Sequence, residues 1–310
     1  MCRLGGVVLT NRPRTVVKYT QIAEDLLGML VKMEDALGGD GNSLTFHYPN
    51  GTYRIIKEHR KVNRLFSRFN EIRKNLMDGA IIVQMHARLS TCGPSEQHEN
   101  MHPFVHGNII GCHNGQINDA IIWDELEREH YGVAPYSTTD SEAMFAAMSV
   151  YAPTLRPKGL QSVLDILEGT YAITAVSKKE PNMLALIAGE NPLAYWNNKK
   201  EGEFWYASTP SLFPETLNIP YKKVKKKYTY GKNKGKVYTT TVRNIIELDE
   251  GDGLYVRASK RRVSIEKCQF DTWRSYFSTQ FDDGYGLAWN DEYYGWTDEE
   301  INELERKGSL

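Results

Sequence analysis

Apolar and polar positions along the chain switch repeatedly between two periods, which predicts a mixed α and β protein. Residues 5–10 form a short apolar run that reads as a buried strand. Over residues 20–37, Ile22, Leu26, Leu27, Leu30 and Met33 recur at helical spacing, so an amphipathic helix follows. The cluster Gly38-Gly39-Asp40-Gly41-Asn42 stops it. Strands are then expected at 44–48, 53–57, 80–88 and 108–113. Helices are expected at 117–130, 141–151 and 160–168, the second because Met144, Phe145 and Met148 share a face. Four further strands are predicted at 171–177, 183–188, 193–197 and 204–208. Strand runs separated by groups of helices fit a layered α+β domain better than an alternating parallel fold.

Two later regions break the pattern by their charge. Residues 221–236 carry eight lysines and no acid, with a turn-like Tyr230-Gly231-Lys232-Asn233 between β-prone flanks. A projecting hairpin, inserted at 221–242, is expected there. Residues 271–310 reverse the balance, with ten acids against three basic residues and nine aromatics from Trp273 to Trp296. Thr297-Asp298-Glu299-Glu300 is a capping-box start for a short helix to about Lys307. The expected division is therefore a main domain over 2–265 and an aromatic, acidic extension over 266–310.

The rest of the composition removes broad classes. The chain has 310 residues, 41% of them apolar and 25% charged, as in a globular protein with ample core. Its net charge of −1 predicts no general attraction to nucleic acid or membrane. No apolar run approaches a membrane span of about 20 residues, and the start lacks a long apolar signal stretch. The four cysteines are too sparse and scattered for a disulfide framework, so a cytoplasmic protein is expected.

Chemistry enters at the second residue. Removal of Met1, which a small second residue permits, would place a thiol and a free α-amine on Cys2. The amine, with a pKa of about 7.7–8.0, can serve as the thiol's own base. Three later stretches give Cys2 a context: residues 86–93 (His-Ala-Arg-Leu-Ser-Thr-Cys-Gly), His113-Asn114-Gly115, and Thr139-Asp140-Ser141-Glu142. Asn100-Met101-His102-Pro103 lies between the first two of these. The ordered set resembles the glutaminase domain of class II glutamine amidotransferases, of the N-terminal nucleophile hydrolase superfamily. The likeness continues through Gly169-Thr170-Tyr171-Ala172, Glu190-Asn191-Pro192-Leu193 and residues 204–208, and returns near 247–256.

The resemblance implies a four-layer α/β/β/α sandwich of two antiparallel sheets flanked by helices. It also implies glutamine hydrolysis through a Cys2 thioester, with Asn114 and Gly115 forming the oxyanion hole. Arg88 and Asp140 would recognise the α-carboxylate and α-ammonium of glutamine, and Thr91 would add a carboxylate donor. No cofactor or metal is required for that half-reaction. The chemistry agrees: the intermediate needs fixed donors, and a zwitterion needs one cation and one anion.

Taken singly, each residue has a plainer reading. Arg88 could be solvated, Asp140 a helix cap, and Asn114-Gly115 a turn. His86, His98, His102, His106 and His113 with Cys92 and Cys112 match no zinc spacing. The chain also departs from the family pattern. It has Leu89 where many relatives carry an aromatic residue, Cys92 after Thr91, and Ala36-Leu37-Gly38-Gly39-Asp40 without the usual arginine.

No synthase segment is visible after residue 260, so a separate ammonia-accepting synthase or ligase is the expected partner, with homo-oligomerisation open. The hairpin and the tail are candidate contacts for that partner, represented by Lys222 and Trp289. The lysines at 222–236 have three readings: a solvated element, a contact to nucleic-acid phosphates, or a pairing with the acidic tail. Two rival functions stand beside the glutaminase, namely hydrolysis of another amide and a non-catalytic binding module.

Overall fold

Strand β1 (Arg3–Leu9) lies inside a sheet, and its alternation assigns the layers. Leu4 and Val8 face one way and Val7 and Leu9 the other, and all four are buried because both sides are covered. The computed structural model describes residues 2–59, 61–90, 94, 97–227, 234 and 236–272, and Met1–Trp273 form one compact unit.

The sheet containing β1 has seven strands. In spatial order they are β13 (Ile246–Glu247), β9 (Ala194–Asn198), β10 (Glu203–Ala207), β1, β4 (Ile82–Arg88), β2 (Gly41–His47) and β3 (Tyr53–Glu58). A second sheet of six runs β15 (Val263–Gln269), β14 (Asp252–Ala258), β8 (Met183–Ala188), β7 (Gly169–Ser177), β6 (Ile109–Ile117) and β5 (Phe104–His106). Every neighbouring pair is antiparallel. Strands β11 (Tyr221–Lys227) and β12 (Val237–Arg243) form a separate ribbon.

Three apolar clusters separate the layers. One packs α1 (Val16–Leu37), α2 (Asn63–Phe66) and α3 (Phe69–Met77) on the outer face of the first sheet, through Leu26, Leu30, Ile72, Val83 and Trp205. Another packs α4 (Asp119–Arg128), α5 (Ser141–Tyr151) and α6 (Pro157–Leu164) on the second sheet, through Ile122, Phe145, Leu160, Ile173 and Ile187. The third joins the inner faces, with Leu4, Val8, Phe204 and Tyr206 meeting Ala172, Leu184, Leu186 and Val256. The result is the expected α+β sandwich of four layers. Among the described residues no helix is long and apolar enough to cross a membrane.

Differences from the sequence expectation have local causes. Helix α1 starts before residue 20 because the Thr15 hydroxyl accepts from Lys18 N at 3.2 Å, capping the earlier turn. Helix α4 starts at Asp119 because Ile117 still pairs with Gly169 as strand. Pro157 opens α6 at its first turn, ahead of residue 160, and the helix ends at Leu164 rather than 168. The hairpin is present as β11 and β12; its predicted turn and the helix at 297–307 lie outside the described residues.

Candidate functional site

Cys2 enters the site from the head of β1. Pairing of Arg3 with Ala87, and of Gly41 with Arg88, sets it beside the last residues of β4. Its Sγ lies 3.5 Å from the Leu89 carbonyl oxygen. Burial pushes the Cys2 thiol up; the nearby Arg88 charge draws it down and Asp140 adds to the rise. The resting thiol is therefore protonated near neutrality, and attack requires a base.

Arg88 is buried at the end of β4, with Nη1 3.4 Å from Pro94 O. Asp40 secures this strand end: its N–H donates to Arg88 O at 3.1 Å, and its Oδ2 accepts from Ser90 N at 2.7 Å. The aspartate of the shortened glycine motif thus has a structural task without the missing arginine. Asp140 stands at the head of α5, where Oδ1 accepts from Ser141 N at 2.8 Å and Oδ2 from Ile117 N at 2.9 Å. It is a helix cap as well as a charge close to Cys2, and a carboxylate retains further acceptor positions. Glu142, fully buried, fixes the approach to α5 by accepting from Tyr136 N at 2.8 Å, Ser137 N at 2.7 Å and His106 Nε2 at 2.9 Å.

Asn114 and Gly115 lie within β6 rather than in a turn. Asn114 shares the parity of Cys112, an inner-face residue whose charge couples to that of Cys2. The Asn114 side chain is 0% exposed, and neither Nδ2 nor Oδ1 has a partner among the described residues. A buried donor left without a partner costs about 1–3 kcal/mol, and this amide has hydrogen-bonding capacity that no described side chain or backbone group uses. Gly115 has φ of +153°, and a Cβ there would lie 1.9 Å from Thr170 O. Only glycine fits, and its backbone stays open to close approach.

Three buried histidines surround this centre. His86 Nε2 donates to His113 O at 3.2 Å, tying β4 to β6, and His113 Nδ1 pairs with the Ser141 hydroxyl at 2.8 Å. The His86 and His102 rings are 4.0 Å apart. Burial lowers His86 to about 3 and His102 well below its ordinary value, while His113 is lowered despite Asp140. Such neutral rings are weak bases for a thiol whose own pKa is raised. Among the described residues no group of His, Cys, Asp and Glu side chains could hold a metal ion.

The structure thus brings together Cys2, Arg88 and Asp140, with Asn114 on the facing strand; Thr91 lies outside the described residues. Sequence reasoning missed Asn191, whose Nδ2 donates to Asn114 O at 3.0 Å from 77 residues away. Its only signal was the Glu190-Asn191-Pro192 string, which carries no mark of its partner.

Residues 86–215 match the model of a glutamine amidotransferase domain family. Among curated relatives, the isomerizing glutamine–fructose-6-phosphate aminotransferase of Chlorobaculum tepidum is 30% identical over 175 residues, 54% of this chain and 28% of that one. The Mesorhizobium japonicum protein of the same name is 26% identical over 210 residues, 66% of this chain and 33% of that one. The chain therefore spans a third or less of the length of these relatives. Among solved structures, glutamine phosphoribosylpyrophosphate amidotransferase from B. subtilis superimposes with a TM-score of 0.57 over 87% of this chain and 49% of that one. A class II glutamine aminotransferase domain protein from Silicibacter pomeroyi does so with 0.50, over 87% of this chain and all of that one. At 13% identity each of these two structures speaks for the fold alone. Sequence match and motif order agree on a glutamine amidotransferase domain over residues 86–215, and the fold of the chain is shared with these two solved structures.

Proposed function

We propose that the chain hydrolyses L-glutamine to glutamate and ammonia at Cys2 and supplies the ammonia to a separate synthase or ligase. The observation that carries this reading is the Cys2 thiol flanked by Arg88 and Asp140, with the buried Asn114 amide on the facing strand whose Cys112 couples to that thiol.

With Met1 removed, the free α-amine of Cys2 takes the thiol proton, directly or through one water. The thiolate adds to the side-chain amide carbon of glutamine. Asn114 Nδ2 and the Gly115 N–H donate to the resulting oxyanion. Collapse of this intermediate breaks the C–N bond, and the amine returns its proton to the leaving ammonia. A water then attacks the thioester, the amine again acting as base, and glutamate leaves with Cys2 restored. Arg88 grips the α-carboxylate through its planar fork, Asp140 accepts from the α-ammonium, and Thr91 adds a donor to the carboxylate. Once Met1 is removed, the α-amine of Cys2 is a base better matched to this thiol than the neighbouring histidines, which burial weakens.

Ammonia released to water becomes ammonium, which has no lone pair to attack with. A glutaminase of this kind is useful beside an acceptor enzyme, and the aminotransferase and amidotransferase names of the relatives agree with such a pairing. A coupled glutamate-release assay tests the hydrolysis. Cys2→Ser is expected to lower kcat by at least about 10³-fold with the fold unchanged; a rate within tenfold of the parent contradicts the reading.

A further inference from the structure

The β11–β12 ribbon has a chemistry that the glutamine site does not use. From residue 221 to residue 245 the sequence contains no Asp or Glu. Five lysines fall within β11 and all are exposed. Among the described residues none of these five has an ion-pair partner.

Register sorts the ribbon into two faces. Lys223, Lys225 and Lys227 lie opposite Thr241, Thr239 and Val237, and all six are exposed. The other face carries Val224, Tyr238, Thr240 and Val242, which are half-buried. The outward face is thus a ladder of ammonium groups spaced by about 6.6–6.8 Å, with two hydroxyls interleaved. The ribbon's root is fixed: Arg243 donates to Phe213 O at 2.8 Å and Pro214 O at 2.9 Å, and Asn244 N to Pro220 O at 2.7 Å.

Positive charge continues past the root. Asn244 and Ile246 share a cleft of about 610 Å³ with Lys199 and Arg262. Beside it, Asn11 N donates to Ser259 O at 2.9 Å and Arg12 Nη2 to Glu201 O at 2.9 Å. These contacts bring exposed Arg12, Lys200, Lys260 and Arg261 into one neighbourhood. The turn at Thr10–Arg14 lies at the far end of β1 from Cys2, so this surface is separate from the glutamine site.

A regular row of exposed lysines and threonine hydroxyls matches the groups that contact nucleic-acid phosphates. A two-stranded ribbon also has the dimensions of the duplex major groove. Protein interfaces, by contrast, are depleted in lysine and anchored by buried aromatics. We infer that β11–β12 docks a nucleic-acid backbone, with Lys223, Lys225, Lys227, Thr239 and Thr241 on successive phosphates and Lys199 and Arg262 extending the track.

Fluorescence anisotropy of the full chain with labelled single-stranded DNA, duplex DNA and RNA, titrated with salt, tests this. Binding to at least one of them is expected, weakening from about 50 to 200 mM salt with a log–log slope of about −0.7 to −0.9 per phosphate contacted. Replacing Lys223, Lys225 and Lys227 together by Gln should weaken binding by at least about tenfold and flatten the slope by about 2–3. The corresponding Lys→Arg triple variant should retain binding, and glutamine hydrolysis should be unchanged in both. Three results overturn the inference: no salt-dependent binding to any of the three oligonucleotides, equal affinity in the Gln variant, or tighter binding to phosphatidylserine vesicles or polyglutamate than to nucleic acid.

Discussion

The layer between the two sheets is chemically two different materials. Across β8, β9, β10 and β14 it is apolar, with Leu184, Leu186, Tyr195, Phe204 and Val256 closing on one another. Across β2, β4, β6 and β7 the same layer buries Gln84, His86, Asn114 and Thr174, each at most 1% exposed. Most of these polar groups answer one another: His47 Nε2 meets Gln84 Oε1 at 2.7 Å, and Gln84 Nε2 donates to Thr174 Oγ1 at 2.9 Å. Asn114 does not, and it lies at the Cys2 end. One half of the layer is closed by apolar contact, and the other buries polar groups, of which the Asn114 amide and the Ser43 and Thr45 hydroxyls have no partner among the described residues.

Substitutions on the two sides should separate these roles. Asn114→Ala is expected to lower kcat for glutamine hydrolysis by about 10²–10³-fold. It should leave the melting temperature unchanged or raise it, because removing an unsatisfied buried amide costs little. A large fall in stability with kcat retained would reverse the assignment. Leu186→Ala, in the apolar half, should destabilise by about 2–5 kcal/mol by denaturant titration. Its rate per folded molecule should stay near that of the parent. A smaller and graded effect comes from pH. His47 and His86 are lowered by burial to about 4 and about 3. Above about pH 6.5 both are neutral in either state and contribute no pH dependence. Below it the unfolded chain takes up protons that the folded one refuses, so stability falls, by up to about 1.4 kcal/mol per pH unit per histidine, until the folded values are reached. Denaturation midpoints from pH 7 to pH 4 would show this slope, and His86→Asn should make it shallower.

How much of this was legible in the sequence varied with the range of the contacts. The strand at the chain start and the helix over residues 141–151 were readable because their periodicity is local. Strands β5 and β13, of three and two residues, are too short to carry a period and exist only by pairing with β6 and β9. Helix α3 was missed because Phe69–Met77 is mostly polar and buries only Ile72, Asn75 and Leu76. The plain reading of Asn114-Gly115 as a turn fails because Ala172 and Tyr171 pair with the two residues as strand. Asp140 was readable both as a cap and as a recognition group, and the structure gives it the first while leaving it near the thiol. The burial that weakens the histidines could not be read, since it comes from strands and helices far apart in the chain. Motif order carried the functional reading, and physical geometry then supplied the unsatisfied amide.

The most direct test of the account is the intact mass of the purified chain after incubation with a diazo-ketone analogue of glutamine. The account predicts a chain lacking Met1 that carries a single adduct, which maps to Cys2 and is lost in Cys2→Ser. A chain lacking Met1 that remains unmodified, or an adduct that survives Cys2→Ser, would contradict it.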